Sequence, residues 1–290
     1  MSGKGAIKGS LSDIVEIFTK AGYQTTIYAT QAHGDAVQKA KEGAGKYDRI
    51  ICSGGDGTLD EVVTGVMASG VDVPIGYIPL GSTNDYGSSL GIPKNVKEAA
   101  FIAANGLPQQ VDVGDFNGDS FVYVAAFGIF TETSYATPQE LKNQLGYLAY
   151  VIEASKQLRD IPSYRMQAEY DGNVIYDEFI FGMVTNTLQV GGMKGIIPGK
   201  IELNDGLFEV NLIRTPRNPI ELNEIVGFLL GLRSDTTLVY SFQTHSLKLT
   251  AASSVSWTLD GEYGGSFDRF QIKNRHNGMR IIVDENNVLA

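Results

Sequence analysis

The sequence lacks several features that are typical of secreted proteins and of membrane-embedded proteins. Its 290 residues include one cysteine, Cys52, so no intrachain disulfide can form and a reducing compartment is predicted. No apolar run approaches the roughly 18 residues that a membrane-spanning helix needs. The first residues, MSGKGAIKG, contain no apolar signal core. These absences predict a cytoplasmic protein that is not integral to a membrane.

Basic charge is also scarce. Lysine and arginine number 23 against 33 aspartates and glutamates, which gives a formal net charge of −10. An acidic chain repels nucleic-acid backbones, so no nucleic-acid partner is predicted. The same charge disfavours broad electrostatic adhesion to anionic lipid. The three histidines show no metal-ligand spacing.

The first part of the chain alternates helical and strand patterns. The periodicity predicts helices at 11–22, 34–44, 58–69 and 95–106, with strands at 23–30, 47–52 and 74–80. Strands separated by helices indicate a parallel sheet covered by helices on both faces. We therefore predict an α/β domain over residues 1–110.

From residue 111 to residue 290 the pattern is dominated by strands. Short turns of hairpin type, FNGDS and YDGN, join several of them. Two helical segments, 140–158 and 220–231, interrupt the strands. The sequence predicts an antiparallel β-rich second domain, read as a β-sandwich, whose last few residues pack back on the first domain.

The stretch CSGGDGTLDEV, residues 52–62, follows an apolar strand pattern and opens a helix. A tight β–α turn explains one or two glycines, whereas three around Asp56 suit a close approach of phosphate and metal to the main chain. Thr58 is suited to cap the helix or to contact a phosphate. Asp60 and Glu61 have a second interpretation, as first-turn carboxylates that complement the helix dipole. The stretch is neither a GxxxxGK[ST] phosphate loop nor a GxGxxG dinucleotide loop.

A second loop, LGSTNDYGSSLG at residues 80–91, follows the next strand. Glycine, hydroxyl and carboxylate again lie at the carboxyl end of a parallel strand, where open α/β sheets bind ligands. Two such loops from neighbouring strands can together bind one triphosphate. Asn84 and Asp85 have the alternative function of capping the next turn.

Two carboxylate-bearing turns occur in the β-rich half. WTLDGEYGG contains Asp260 and Glu262, and IELNDGLFEV contains Asp205; both are also ordinary hairpin turns. Phosphoryl transfer to an alcohol needs a carboxylate that takes the hydroxyl proton. Asp260 suits that function, with Glu262 orienting it or raising its pKa by repulsion.

Four stretches together, SGGDGTLDEVVTG, PLGSTNDYGSSLGIP, NDGLFEV and LDGE, resemble the diacylglycerol-kinase-like lipid kinases in order and spacing. The resemblance extends over nearly the whole chain, although GGDGT alone also occurs in NAD kinases and phosphofructokinases. It implies a phosphofructokinase-like nucleotide domain beside a β-sandwich, with ATP and substrate in the cleft between them.

The resemblance also implies functions for individual residues. Asp260 matches the catalytic base, with Glu262 beside it, and Asp56 and Asp85 are similar to the aspartates that support Mg²⁺. Glu202, Asp205 and Leu207 match a separate structural metal site. The ATP contacts that the resemblance implies are Gly54, Gly55, Asp56, Gly57, Thr58, Leu59, Asp60, Glu61, Ser82 and Thr30, the last at the end of the predicted second strand.

The sequence departs from the family pattern at three places. The family begins with a strand and NPxSG before its first helix, whereas here Ser2, Gly3 and Gly5 are the expected remnant of that loop, with Gly3 an ATP contact. Either the start was misassigned or truncated, or this edge of the nucleotide site is incomplete. Asp60 replaces an asparagine and is expected to weaken ATP binding; Ser82 replaces a threonine.

The leading hypothesis is an ATP- and Mg²⁺-dependent lipid kinase that phosphorylates a lipid alcohol, with diacylglycerol the first choice and phosphatidic acid the product. An NAD-kinase-like enzyme and a nucleotide- or lipid-binding protein without turnover are the alternatives. The predicted location is the cytoplasm, peripheral to the inner face of the membrane. Expected partners are ATP, the lipid, a transient membrane surface and a second copy of the chain in a homodimer.

Overall fold

The computed structural model describes residues 4–129, 131, 161–187, 189–190, 193–194, 202–229 and 236–287. The chain divides into two compact units. Unit 1 consists of Met1–Val113, Glu202–Asp205 and Arg275–Ala290, and unit 2 consists of Gly114–Ile201 and Gly206–Asn274. The assignment of residues 1–110 to nucleotide and of 111–290 to lipid stays a prediction, because compactness assigns no ligand to either unit.

Helices dominate the start of the described chain and strands the remainder. In chain order the elements are α1 (Lys4–Lys20), α2 (Asp35–Ala44), β1 (Ile50–Gly54), α3 (Asp56–Ser69), β2 (Ile75–Pro79), α4 (Asp85–Ser89), α5 (Val96–Asn105), β3 (Leu107–Phe116), β4 (Asp119–Phe121), β5 (Val124–Gly128), β6 (Tyr164–Tyr170), β7 (Asn173–Thr185), β8 (Gln189–Val190), β9 (Met193–Lys194), β10 (Phe208–Arg214), α6 (Pro219–Leu229), β11 (Val239–Thr244), β12 (Ser246–Leu259), β13 (Glu262–Val283) and a 3₁₀ turn (Glu285–Asn287).

Unit 1 contains a parallel sheet, as the alternation of helices and strands predicts. β1 and β2 pair in parallel from Ile50 and Ile75 to Gly54 and Pro79. The end of β13 adds a third parallel strand, because Ile281 also pairs with Ile75. Every residue of β2 is buried, as expected of a strand with neighbours on both sides.

The predicted strand at 23–30 is wrong. Those residues form neither helix nor strand, and residues 24–30 are exposed. A β-rich composition produces a strand only where a neighbouring strand accepts and donates its backbone hydrogen bonds. The helix that precedes this segment is longer than predicted, since α1 begins at Lys4 and therefore contains Gly5.

Unit 2 is built on a large antiparallel sheet with the strand order β12, β5, β7, β10 and β11, and β6 pairs with both β12 and β7. One face carries an aromatic core in which Trp257 contacts the rings of Phe116, Phe127 and Phe270 at centroid distances of 4.8–5.2 Å. Such tilted pairs add to the stabilisation that burial provides. The antiparallel second half is thus confirmed at the level of the sheet.

Three two-residue turns confirm the hairpin signals in the sequence. Asn117–Gly118, Asp171–Gly172 and Asp260–Gly261 all have positive φ at both positions. This is the type I′ geometry, whose twist matches that of the flanking strands. The third turn joins β12 to β13 and places Asp260 at the tip of the hairpin.

The predicted helix at 140–158 lies outside the described residues, whereas the one predicted at 220–231 is α6. Within the described part of the chain, no helix is both long enough and apolar enough to cross a membrane.

Candidate functional site

Two loops of unit 1 meet where β1 and β2 end. The Leu80 amide donates to the Gly54 carbonyl oxygen at 2.7 Å, which continues the parallel pairing into the loops. A Cβ atom at Gly81 would lie 2.7 Å from the Gly55 Cα, and one at Gly55 would lie 3.2 Å from the Gly81 Cα. The two main chains therefore touch: a side chain at Gly81 would force the loops to shift, and one at Gly55 would be a tight contact. Packing of loop on loop explains two glycines that the sequence attributes to ligand approach.

Asp56 joins these two loops through its side chain. Its Oδ2 accepts the Asp85 amide at 3.1 Å and lies 3.5 Å from the Thr83 hydroxyl, while its Oδ1 lies 3.5 Å from the Tyr77 hydroxyl. The sequence predicts Asp56 and Asp85 as a pair, and the structure brings them together. Burial is the largest influence and raises the pKa of the Asp56 carboxyl above its ordinary value; the Asp85 amide opposes this rise, and the Asp85 charge adds to it.

The second loop is held by Asn84. Its Oδ1 accepts the Gly81 amide at 2.8 Å, its Nδ2 donates to the Gly81 carbonyl at 2.9 Å, and its backbone has a positive φ of 53°. The hydroxyl of Tyr77 lies 3.4 Å from the Asn84 Oδ1. Burial, followed by the Asp56 charge, raises the pKa of Tyr77, which therefore stays protonated. In the sequence, Tyr77 is only an aromatic residue within a predicted strand, and nothing there indicates its contact with Asp56 and Asn84.

Glu61 has a function in the fold that the sequence does not reveal. Its carboxylate accepts the amides of Gly34 and Ala36 at 3.0 and 3.1 Å and lies 2.9 Å from the His33 Nδ1. It thereby caps the start of α2, whose residue before the helix provides no side-chain cap. The helix-dipole interpretation of Glu61 thus names the right kind of interaction but the wrong helix.

The remaining predicted ATP contacts occupy varied environments. Leu59 is buried in the core, Thr58 packs against Gly54, and Ser82 is exposed on the second loop. Thr30 is exposed on the segment that forms no strand. Gly57 and Asp60 are half-buried, and because α3 begins at Asp56, Asp60 lies beyond the first turn in which the sequence places it. Gly3 lies outside the described residues.

The fit of this site to Mg²⁺ depends on its carboxylates. In phosphoryl-transfer sites Mg²⁺ is held by one or two carboxylates together with substrate phosphates. Asp56 and Asp85 are such a pair, because the Asp56 Oδ2 accepts the Asp85 amide at 3.1 Å. No group of three or more His, Cys, Asp or Glu side chains suited to a metal comes together among the described residues. The pair therefore fits an ion whose coordination is completed by phosphate oxygens.

Asp260 of unit 2 is held by main-chain amides. Its carboxylate accepts the amides of Val122, Tyr123 and Val124 at 2.5, 3.0 and 2.9 Å, and 4% of the residue is exposed. The Asp260 amide also donates to the Val124 carbonyl at 2.8 Å. These contacts fix the position of the carboxylate at the tip of the β12–β13 hairpin. Glu262, two residues on, is exposed.

The residues of the predicted structural metal site fall on both sides of the division between the two units. Glu202 and Asp205 belong to unit 1 and Leu207 to unit 2. The nearest described feature is the buried Asp112, whose amide donates to the Leu203 carbonyl at 2.8 Å and whose Oδ1 accepts the Asn277 amide at 2.7 Å. This metal site stays a prediction.

Comparisons with known proteins show what this chain is similar to. A family model described as the diacylglycerol kinase catalytic domain matches residues 1–116. A diacylglycerol kinase of Bacillus subtilis (strain 168) is 35% identical over 267 residues, which span 91% of this chain and 88% of that protein. One from Staphylococcus aureus (strain JH9) is 34% identical over 269 residues, spanning 91% and 84%. The crystal structure of a diacylglycerol kinase from Bacillus anthracis str. Sterne matches with a TM-score of 0.78 at 25% identity, covering 99% of this chain and 95% of that one.

Proposed function

The chain belongs to the diacylglycerol kinase family of lipid kinases, and from that premise we propose that it transfers the γ-phosphoryl group of ATP to the free hydroxyl of diacylglycerol, giving phosphatidic acid. The observation that carries the proposal is the junction of two loops at the carboxyl ends of β1 and β2 with Asp56 and Asp85 side by side. In open α/β sheets that edge is where phosphates bind.

Within the proposal, unit 1 binds the nucleotide. The loops at 54–58 and 80–85 receive the phosphates, and Asp56 with Asp85 supports Mg²⁺, which when bound offsets the negative charge of the triphosphate. The phosphofructokinase-like form of this unit and the β-sandwich form of unit 2 are parts of the same proposal. So are the ATP contacts of Thr58 and Ser82.

Asp260 is the proposed general base in unit 2. The lipid hydroxyl oxygen forms a bond to the γ-phosphorus while the bond from that phosphorus to the bridging oxygen breaks, so that ADP leaves. The hydroxyl proton passes to the Asp260 carboxylate, whose position the three amides fix. Glu262 lies nearby in the chain, and we propose that it supports Asp260 in this function.

The test is product formation with labelled γ-phosphate. Purified protein is incubated with Mg²⁺, labelled ATP and, in separate reactions, dioctanoylglycerol, an isoprenoid alcohol, a sphingoid base and NAD. We expect label in dioctanoylglycerol and a loss of about 10²–10⁴-fold in kcat for Asp260→Asn, the usual contribution of a general base. Label found in NAD alone would show that the acceptor is not a lipid. ATP binding without any labelled product would favour a binding protein that does not catalyse phosphoryl transfer.

A further inference from the structure

A row of opposed side chains crosses unit 2, beginning at Val124 beside the turn that contains Asp260. The pairing registers place Val124 opposite Thr185, Thr185 opposite Glu209, and Glu209 opposite Gln243, and Asp260 accepts the Val124 amide. Directly opposed residues in antiparallel strands point to the same face of the sheet. The row lies on the face opposite the aromatic core, because the core contains the alternate residues of the same strands, among them Ala125, Val184 and Val210.

Two of the row's four side chains, those of Thr185 and Glu209, are polar and buried, with 0% and 6% exposed. Asp260, in the turn beside the row, is 4% exposed. Glu209 accepts the Gln243 Nε2 at 3.2 Å, and Gln243 itself is exposed, so the row reaches solvent at that strand. Polar side chains on a buried face are costly unless each has a hydrogen-bond partner.

The Thr185 hydroxyl lacks such a partner within the described residues, although its Oγ1 is fully buried. Valine has nearly the same shape and would avoid the cost of burying that hydroxyl. A ligand group that accepts a hydrogen bond would account for the threonine. The strand of Thr185 lies two places from that of Asp260, or about 10 Å at the usual strand spacing, and the Asp260 side chain turns toward the strand between them.

We infer that Thr185 is a specificity-determining residue that donates its hydroxyl to an ester carbonyl of the lipid substrate. The inference rests on the proposed function, since the hydroxyl acceptor must sit at Asp260. In a diacylglycerol the ester carbonyls lie a few bonds from the free hydroxyl, and an ester carbonyl is an acceptor only, which matches a donor. The site thereby selects a glycerolipid ester over alcohols without a carbonyl.

The test compares a diester with its diether. Dioctanoylglycerol and 1,2-di-O-octylglycerol differ in the two carbonyl groups, and kcat/KM is measured for each. The wild type should prefer the diester by about 10-fold, the usual effect of one hydrogen bond in a site built to make it. Thr185→Val should lose that preference, because its kcat/KM should fall for the diester and stay unchanged for the diether.

Thr215→Val is the matched control. The Thr215 hydroxyl is likewise buried without a partner in the described structure, but it lies just past the other end of β10. This variant should keep the diester preference. Because each variant removes a hydroxyl with no partner, neither should have a lower Tm than the wild type.

The outcomes separate the two proposals. A diester preference that survives in Thr185→Val overturns the assignment of Thr185 while leaving the kinase activity in place, and so does a Tm loss confined to that variant. A wild type that phosphorylates neither lipid overturns the proposed function, and the assignment of Thr185 falls with it.

Discussion

At the scale of single residues, Asp260 combines a proposed chemical function with an evident structural one. Three main-chain amides, those of Val122, Tyr123 and Val124, donate to its carboxylate in a buried setting. Removing the side chain would leave all three without an acceptor. Loss of activity in Asp260→Ala would therefore not distinguish a missing base from a disturbed hairpin.

Asp260→Asn separates the two functions better, because it keeps the size of the side chain. Its amide group must point at least one N–H toward a main-chain N–H, so we expect a loss of about 1–3 kcal/mol in stability. The measurement is Tm by calorimetry, with kcat taken well below both midpoints. Asp171→Asn is the control, since Asp171 occupies the same position in a type I′ turn and is exposed. Equal losses of Tm in both variants would show that the amides do not matter.

Asp56 allows a prediction about pH. Burial, the largest cause, raises the pKa of the Asp56 carboxyl in the folded protein above the ordinary value of 3.8. The protonated carboxyl therefore favours the folded state fully below pH 3.8, and this contribution is lost as the pH rises through the raised pKa. At neutral pH the ionised group therefore opposes folding. We expect Asp56→Asn to increase stability at pH 8 by about 1 kcal/mol, or roughly 2–4 °C in Tm. The gain should vanish near pH 4, and the variant should be inactive.

Magnesium provides the control for that prediction. Adding MgCl₂ at pH 8 should raise the Tm of the wild type, since an ion that binds the folded state stabilises it. The Tm of Asp56→Asn should respond less, because one carboxylate of the pair is gone. If Asp56→Asn melted below the wild type at pH 8 without Mg²⁺, the buried charge would not be the dominant effect.

Much of the residue-level site in unit 1 could be predicted, and the reason is chain order. The carboxyl ends of neighbouring parallel strands share an edge, so a sequence with Asp56 after one strand and Asp85 after the next places both there. Glu61 and Thr185 could not be predicted in the same way. The partners of Glu61 precede it by 25 and 27 residues, and the position of Thr185 depends on strands that are distant in sequence.

At the scale of elements, the close approach of the two loops can be tested with one methyl group. Gly81→Ala would place a Cβ 2.7 Å from both the Gly55 Cα and the Asn84 Oδ1, so the loops must move apart. We expect a loss of about 1–3 kcal/mol in stability and a weaker affinity for ATP. Tm and the KM for ATP are the measurements.

Gly45→Ala is the control for this prediction. A Cβ at Gly45 meets no atom within 4 Å and the backbone there has a negative φ of −89°, so alanine is tolerated. Tm and the KM for ATP should then match the wild type. An unchanged KM in Gly81→Ala would mean that the contact between the loops does not shape the nucleotide site.

The elements themselves were predictable wherever local signals agreed. Helices α2, α3 and α5 follow from periodicity with glycine stops, and the three type I′ turns follow from Asn-Gly and Asp-Gly pairs. The segment at 23–30 was not predictable, because its composition is that of a strand while its state depends on a neighbour. The lengths of β12 and β13 were also missed, since register shifts along the pair interrupt the alternation of buried and exposed residues.

At the scale of the whole molecule, the two units are not separated by a single boundary in the sequence. Arg275–Ala290 and Glu202–Asp205 join unit 1 although they follow most of unit 2 in sequence. The third parallel strand of unit 1 therefore comes from the end of the chain, through Ile281. The sequence predicts a return of only the last few residues to the first domain, and its composition marks neither the start of the returning segment at Arg275 nor the inclusion of Glu202–Asp205.

The net charge of the whole molecule leads to a prediction about its binding to lipid vesicles. A chain of charge −10 is repelled by a negatively charged bilayer, and the repulsion is screened within about 10 Å at 0.1 M salt. We expect cosedimentation with vesicles of equal diacylglycerol content to fall as phosphatidylglycerol replaces phosphatidylcholine at low salt, and to recover at higher salt. Neutral vesicles without diacylglycerol are the control. Tighter binding to the anionic vesicles would reveal a basic docking surface strong enough to overcome the net charge, and the product, itself anionic, would then hold the enzyme on the membrane instead of releasing it.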